Sequence, residues 1–164
     1  MPFHHVAYAC RDTEATRHFY EDLFGFRLRH TEVAGFPNGG SMRHLFFDTG
    51  DGSSIAFFHV EHVGERDDWR ADVSTGNGLP VWVNHAAFTS SVDHQAEVRE
   101  RMDAAGIAPL MEVDHGWCQS LYYLDPNGIM VELCRDPRHA RRPSHGRRPA
   151  GLGARTDHGL TNGA

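Results

Sequence analysis

Hydrophobic and polar positions in the first part of the chain follow the period of a strand and then that of a helix. Residues 3–10 alternate bulky and short side chains in the manner of a half-buried strand. From Thr13 to Phe24 the apolar side chains recur on one helical face, and Gly25 stands where a helix C-cap is expected. Turns rich in Gly, Pro and Asn then separate three more predicted strands, at residues 26–31, 44–49 and 54–60. The predicted order is therefore β-α-β-β-β.

The second half of the chain repeats this order. A strand is predicted at residues 82–89, and the helix that follows is expected to start at Asp93 and to end at Gly106. His85 lies 80 residues after His5, and the two glycines that end the helices are 81 residues apart. Units that repeat at a fixed spacing bury their apolar faces against each other. We therefore expect an α+β fold of two tandem βαβββ modules.

We expect one folded domain followed by a tail. The 164 residues are enough for a single well-buried domain. This domain is predicted to span residues 1–134, with module one at about 3–60, a connection and candidate lid at 61–81, and module two at about 82–134. Residues 135–164 are rich in Arg, Gly and Pro, with almost no large apolar side chains, which predicts a disordered tail.

Composition narrows the classes of chemistry and of partner. All 16 basic residues are arginine, which excludes a Schiff-base lysine. The tail holds seven arginines against two aspartates, but the body is acidic and lacks the clustered cations that nucleic acid requires. No apolar run is long enough for a membrane span, and the N-terminus lacks a signal segment. We expect a cytoplasmic protein that binds neither nucleic acid nor membranes.

The three cysteines, Cys10, Cys118 and Cys134, are sparse and have no CxxC spacing. Such a set suggests neither a disulfide framework nor a cysteine zinc site. We expect three reduced thiols.

Two histidines and one carboxylate hold equivalent or matching places in the repeat. His5 and His85 lie in the first strands of the two modules, and Glu132 follows the last hairpin at the position that Ala56 occupies in module one. A carboxylate in an otherwise apolar strand is costly unless it has a partner. Two imidazoles and one carboxylate leave coordination positions open, as reactive Fe(II) or Mn(II) sites do. The sequence thus predicts a metal site formed by His5, His85 and Glu132.

Three segments, HHVAYACRDTEATRHFYEDLFGF, VNHAAF and SLYYLDPNGIMVEL, resemble the vicinal oxygen chelate superfamily. That superfamily includes glyoxalase I, fosfomycin-resistance thiol transferases, methylmalonyl-CoA epimerases and type I extradiol dioxygenases. The resemblance covers about residues 3–134. It implies paired βαβββ modules whose strands curl into an open cup around one metal, with His5, His85 and Glu132 as its ligands, and it favours a homodimer.

Departures from the subfamilies separate the reactions that the resemblance allows. Glyoxalase I typically has a fourth, carboxylate ligand in its first module, where this chain has Ala56. The characteristic strand of fosfomycin thiol transferases is not matched by residues 84–88. Tyr122 matches a tyrosine of extradiol dioxygenases, and His115 resembles a histidine that precedes it in small relatives. The resemblance therefore implies Tyr122 and His115 as catalytic residues.

One dioxygenase feature is missing. The acid/base histidine of those enzymes is matched here by about Ser53, so His115 or a loop histidine, His59 or His62, supplies that function, or the reaction is a different one. The leading hypothesis is a non-haem Fe(II) extradiol dioxygenase, with Mn(II) or another divalent metal as the alternative, acting on a catechol-like aromatic and dioxygen. Four aromatic residues are candidates for a wall around the ring: Phe46, Phe57, Trp82 and Trp117.

Three alternatives remain open from the sequence. Two are other reactions on the same scaffold, a glyoxalase-like lyase or isomerase and a thiol transferase. The third is a metal-free protein that sequesters drugs or other small molecules, although such proteins commonly lose the ligand set.

Overall fold

A computed structural model describes residues 3–137 of the chain. Its secondary structure comprises β1 His5–Ala9, α1 Thr13–Arg17 with a π-helical continuation His18–Leu23, β2 Leu28–Gly35, β3 Ser41–Asp48, β4 Ser54–Glu61, a 3₁₀ turn Thr75–Asn77, β5 His85–Thr89, α2 Val92–Ala104, β6 Met111–Asp114, β7 Gln119–Leu124 and β8 Met130–Arg135.

The strands form two four-stranded mixed sheets, in the orders β1-β4-β3-β2 and β5-β8-β7-β6. In each sheet the first and last strands of a module pair in parallel, and the other neighbours are antiparallel. The α+β class and the two repeated βαβββ modules are therefore confirmed.

Local signals account for most of the element ends. The Asp12 carboxylate accepts hydrogen bonds from the backbone N–H groups of Glu14 and Ala15, which caps α1. Gly25 has a φ of 81°, the left-handed conformation that ends many helices and that favours glycine. The predicted start of α2 at Asp93 was wrong, because Ser91 is the N-cap and its hydroxyl accepts from the backbone N–H of His94 at 3.0 Å.

One hydrophobic core lies between the two sheets. The side chains of β3, β4, β7 and β8 that point towards the helices join those of α1 and α2 in a single buried cluster. Phe24, beyond the π-helical segment, packs against Phe88 of β5 and Tyr123 of β7, so the two modules meet through their helical sides. Phe57 belongs to this core, with its ring centroid 4.8 Å from that of Tyr20, and the expectation that it lines a substrate site was wrong.

A buried polar junction ties the last hairpin of module two to the helix of module one. The Asp125 carboxylate, only 3% exposed, accepts hydrogen bonds from the Tyr20 hydroxyl at 2.9 Å and from the backbone N–H groups of Asn127 and Ile129. The Asn127 side-chain amide also donates to the Thr16 hydroxyl at 3.2 Å. Burial raises the pKa of Asp125 in spite of these hydrogen bonds.

No helix within residues 3–137 is long and apolar enough to cross a membrane. The predicted division into a domain over residues 1–134 and a disordered tail over 135–164 stays a prediction, since residues 138–164 lie outside the described part.

Candidate metal site

His85 and Glu132 face each other across neighbouring strands. β5 and β8 run in parallel, and Ala87 is paired with Glu132. Because His85 lies two residues before Ala87, its side chain is on the same face of the sheet as the carboxylate. His85 Nε2 lies 3.1 Å from Glu132 Oε2. His85 Nδ1 lies 2.9 Å from the Trp82 carbonyl oxygen, which can only accept, so Nδ1 carries the hydrogen.

This tautomer fits a bound cation. With the hydrogen on Nδ1, a neutral His85 directs the lone pair of Nε2 at a carboxylate oxygen, and two acceptors at that separation require a proton or a cation between them. Glu132 is only 6% exposed, and the Ser120 hydroxyl donates to its other oxygen. An imidazole oriented by a carbonyl and a carboxylate oriented by a hydroxyl are the arrangement that proteins use to fix metal ligands. The residues present therefore fit a divalent metal.

Tyr122 and His115 lie beside the carboxylate. Tyr122 of β7 is paired with Glu132 of β8, so its side chain is on the same face of the sheet. The Tyr122 hydroxyl oxygen and His115 Nε2 are 3.2 Å apart. Burial raises the pKa of Tyr122, with a further contribution from the Glu132 carboxylate, so the hydroxyl remains protonated and can donate a hydrogen bond. The two residues implied as catalytic thus contact each other next to two of the predicted metal ligands, His85 and Glu132.

His5 lies on the other sheet. Its ring is close to those of His44 and Phe46 of β3, with centroids 5.8 and 5.2 Å away. In each sheet the core packs against the other face, so the faces that carry His5 and Glu132 both point away from the core. Within residues 3–137, His5, His85 and Glu132 do not form a three-donor cluster. One chain therefore brings together two of the three predicted ligands.

The structure also shows why module one has no matching site. Ala7 is paired with Ala56 in the first sheet as Ala87 is paired with Glu132 in the second, so Ala56 and Glu132 hold the same register position. The repeat therefore places a methyl group where the second module has its carboxylate.

His44 is a buried polar residue that the sequence analysis missed. It is 5% exposed, its ring is stacked on Phe58 with centroids 3.6 Å apart, and Nδ1 lies 3.6 Å from a carboxylate oxygen of Glu32. His44 Nε2 has no hydrogen-bond partner. Burial lowers the pKa of His44. Alignment of the two modules could have identified His44, because it holds the position in module one that Ser120 holds in module two. In module two the Ser120 hydroxyl donates to Glu132.

Ser53, at the position of the missing acid/base histidine, donates its hydroxyl hydrogen to the Phe3 carbonyl oxygen at 2.8 Å. The two loop histidines lie away from Tyr122. His59 and His62 line a cavity of about 320 Å³ with Arg11 and Trp69, and Glu132 and Tyr122 are not part of it. Of the three histidines considered as acid/base residues, His115 is the one that the structure places beside Tyr122.

A larger cleft of about 660 Å³ lies between β1 and β5 and is lined by Val6, Tyr8, Phe88 and His85, among other residues. Its volume is within the range of small-molecule sites. His85 belongs both to this cleft and to the pair with Glu132. Trp82 and Trp117 are more than half exposed.

Curated and solved relatives share the sequence pattern and the architecture. Biphenyl-2,3-diol 1,2-dioxygenase 3 from Rhodococcus globerulus is 41% identical over 69 residues, which span 35% of this chain and only 34% of that protein's length. A glyoxylase/bleomycin resistance protein/dioxygenase domain from Frankia sp. EAN1pec has a TM-score of 0.59 and 20% identity, covering 83% of this chain and 92% of that one.

The fosfomycin resistance protein FosX from Listeria monocytogenes, crystallised with Mn(II) and a sulfate ion, has a TM-score of 0.55 and 19% identity, covering 85% of this chain and 96% of that one. The profile of the Glyoxalase/Bleomycin resistance protein/Dioxygenase superfamily matches residues 3–133, which contain both modules and every candidate ligand. The chain belongs to this superfamily.

Proposed function

We propose that this protein is a metal-dependent dioxygenase that cleaves a catechol-like aromatic ring, with Fe(II) as its metal. The observation that carries the proposal is the pair of His85 and Glu132, with facing acceptor atoms 3.1 Å apart and the Tyr122 hydroxyl beside them. The local likeness to a biphenyl-2,3-diol dioxygenase supports ring cleavage over the other reactions of the superfamily.

The side chains of the candidate site would have distinct roles. His85, Glu132 and His5 would hold the metal, which supplies Lewis-acid and one-electron chemistry when bound. The protonated Tyr122 hydroxyl donates a hydrogen bond to a substrate oxygen. Because the Tyr122 hydrogen is directed at the substrate, the Tyr122 oxygen accepts from the N–H at His115 Nε2, 3.2 Å away, and the other ring nitrogen of His115, Nδ1, accepts the proton that the substrate hydroxyl loses on binding and later returns it.

A homodimer would complete the ligand set. His5 and the pair of His85 and Glu132 lie on different sheets, on the faces that point away from the shared core. In two copies related by a twofold axis, the first sheet of each copy can lie against the second sheet of the other, which gives two equivalent sites. We propose that His5 of one copy joins His85 and Glu132 of the other.

Mixed dimers test this arrangement. His5→Ala and Glu132→Gln chains are each expected to be inactive alone, yet a mixed dimer keeps one intact ligand set because each chain supplies what the other lacks. Co-expression should restore roughly a quarter of the wild-type metal sites and activity, since random pairing makes half of the dimers mixed. Co-expression of His85→Ala with Glu132→Gln is the control, because both changes fall in the same half-site. Equal failure of both mixtures would refute a shared site.

Tyr122→Phe is expected to lower kcat about 10- to 100-fold, as loss of one positioned donor commonly does, with metal content unchanged. Turnover and elemental analysis of the same preparation check this. Tyr123→Phe is the matched control, since Tyr123 points to the core on the opposite face of the same strand. Loss of metal in Tyr122→Phe would show that the hydroxyl is needed for the metal site and not for a reaction step.

A substrate screen separates the reactions open to this scaffold. The iron-loaded protein is tested with catechols under oxygen, with aldehyde–thiol adducts and with fosfomycin plus a thiol. Ring-opened product from a catechol supports the proposal. Turnover of an adduct or of fosfomycin without any catechol cleavage would replace the dioxygenase by an isomerase or a transferase.

A further inference from the structure

A second set of donors approaches Glu132 from the β7 side of strand β8, whereas His85 lies on the β5 side. Donor atoms of His115, Cys118 and Glu132 all lie within 4.8 Å of one another, and they form the three-donor cluster found among the described residues. Cys118 is 2% exposed and Glu132 is 6% exposed, while His115 is exposed, so an ion held by the three would be covered on the side of Cys118 and Glu132 and open to solvent on the side of His115. This cluster contains a sulfur donor that the set of His5, His85 and Glu132 lacks.

The turn before β7 holds the cluster together. Gly116 has a φ of 79°, and its backbone N–H donates to the Asp114 carboxylate at 2.7 Å. The backbone N–H of His115 donates to the Cys118 carbonyl at 2.9 Å, which closes the turn and turns His115 back towards the strand. Strand alternation places Cys118 on the side of Ser120, whose hydroxyl contacts both the Cys118 sulfur, at 3.7 Å, and Glu132.

The donor types indicate which metal this cluster suits. A thiolate, an imidazole and a carboxylate are all ligands of zinc, and a site with three protein ligands leaves one position open. Thiolate sulfur favours zinc over the harder Mn(II), while the paired imidazoles and carboxylate of the other set suit Fe(II) or Mn(II). The two sets share one carboxylate.

We propose that His115, Cys118 and Glu132 form a second metal site, selective for zinc and other thiophilic divalent ions. Cys118 loses its thiol proton to solvent as the metal–sulfur bond forms, so the metal is bound by the thiolate. Zinc binding at this cluster does not depend on the proposed function, because neither His5 nor His85 belongs to it.

Cobalt(II) is the probe, because a cobalt–thiolate bond has a strong near-ultraviolet charge-transfer absorption that nitrogen and oxygen ligands do not produce. Metal-free protein titrated with Co(II) should show this absorption, and added zinc should remove it. Cys118→Ser should abolish it and weaken zinc binding by at least about 100-fold, the effect expected on losing a ligand and not an outer partner.

Two variants make the result specific. Cys134→Ser should keep the absorption, because Cys134 lies outside the three-donor cluster. His5→Ala should also keep it, although that variant loses the proposed iron site, so failure of the proposed function and failure of this inference give different results.

An absent charge-transfer band in the wild-type protein would overturn the inference. The same holds for a band that persists in Cys118→Ser, or one that Cys134→Ser removes. Circular dichroism and the unfolding midpoint of Cys118→Ser establish that the serine variant is folded, so a lost band reports a lost ligand.

Discussion

Glu132→Gln is expected to abolish metal-dependent turnover. The substitution keeps the volume of the side chain but removes the charge that balances a bound cation, and it replaces one acceptor oxygen by an N–H donor. Loss of an outer-shell partner commonly costs about 10- to 100-fold in metal affinity or activity, so loss of a ligand is expected to cost more than about 100-fold. Elemental analysis of the purified variant, together with turnover, provides the measurement.

Glu112→Gln is the matched control for this change. Glu112 lies in the same sheet, on β6, but it is exposed and forms an ion pair with Arg99 at 2.7 Å. Because exposed ion pairs contribute little, we expect activity within about twofold of the wild type. A Glu132→Gln protein that kept stoichiometric metal and near-normal turnover would show that this carboxylate is not a ligand.

Asp125→Ala is expected to have the largest effect on stability. The change removes the acceptor for the Tyr20 hydroxyl and for two backbone N–H groups, all in a buried junction between the modules. Each buried donor left without a partner costs about 1–3 kcal/mol, so the free energy of unfolding should fall by about 3 kcal/mol or more. Denaturant unfolding monitored by circular dichroism measures the difference.

Asp67→Ala controls for the loss of a carboxylate as such. Asp67 is exposed in the connection between the modules, and its removal should change the free energy of unfolding by no more than about 0.5 kcal/mol. If Asp125→Ala lost less than about 1 kcal/mol, the junction would not be a main link between the modules.

The repeated architecture could be predicted because its signals are local. Strand alternation, the helical stripe ending at Gly25 and the turn glycines each act over a few residues, so both modules were predicted in their correct order. Element ends were less certain: α2 starts after Ser91 and not at Asp93, because the serine hydroxyl is the cap that forms. Both residues are good caps by type, and side-chain geometry selects between them.

The approach of His85 to Glu132 could also be predicted from the sequence, but the position of His5 could not. The repeat predicted His85 and Glu132 as ligands of one metal, and the structure brings their donor atoms to 3.1 Å. The alternation of side chains along a strand predicts which side of that strand a residue occupies. It does not predict which other part of the protein that side will face. The modules pack through their helical sides, with Phe24 against Phe88, and this turns the His5 face away.

Cys118 and His44 show the limit of reading spacing along the chain. The cysteines were discounted because they lack CxxC spacing, yet antiparallel pairing of β7 and β8 brings Cys118 within reach of Glu132, 14 residues further on. His44 is inconspicuous among 13 histidines until its burial and its orphan Nε2 are known. Both residues become candidates only through contacts between strands.

Oxygen consumption by the iron-loaded protein tests ring cleavage most directly. Catechol, added to protein reconstituted with Fe(II) under air, should be consumed with one equivalent of dioxygen and converted to a ring-opened product, and resorcinol, whose hydroxyls are not adjacent, should not react. The protein without metal should consume neither catechol nor oxygen. Stoichiometric iron with no oxygen uptake on any catechol would contradict the dioxygenase assignment.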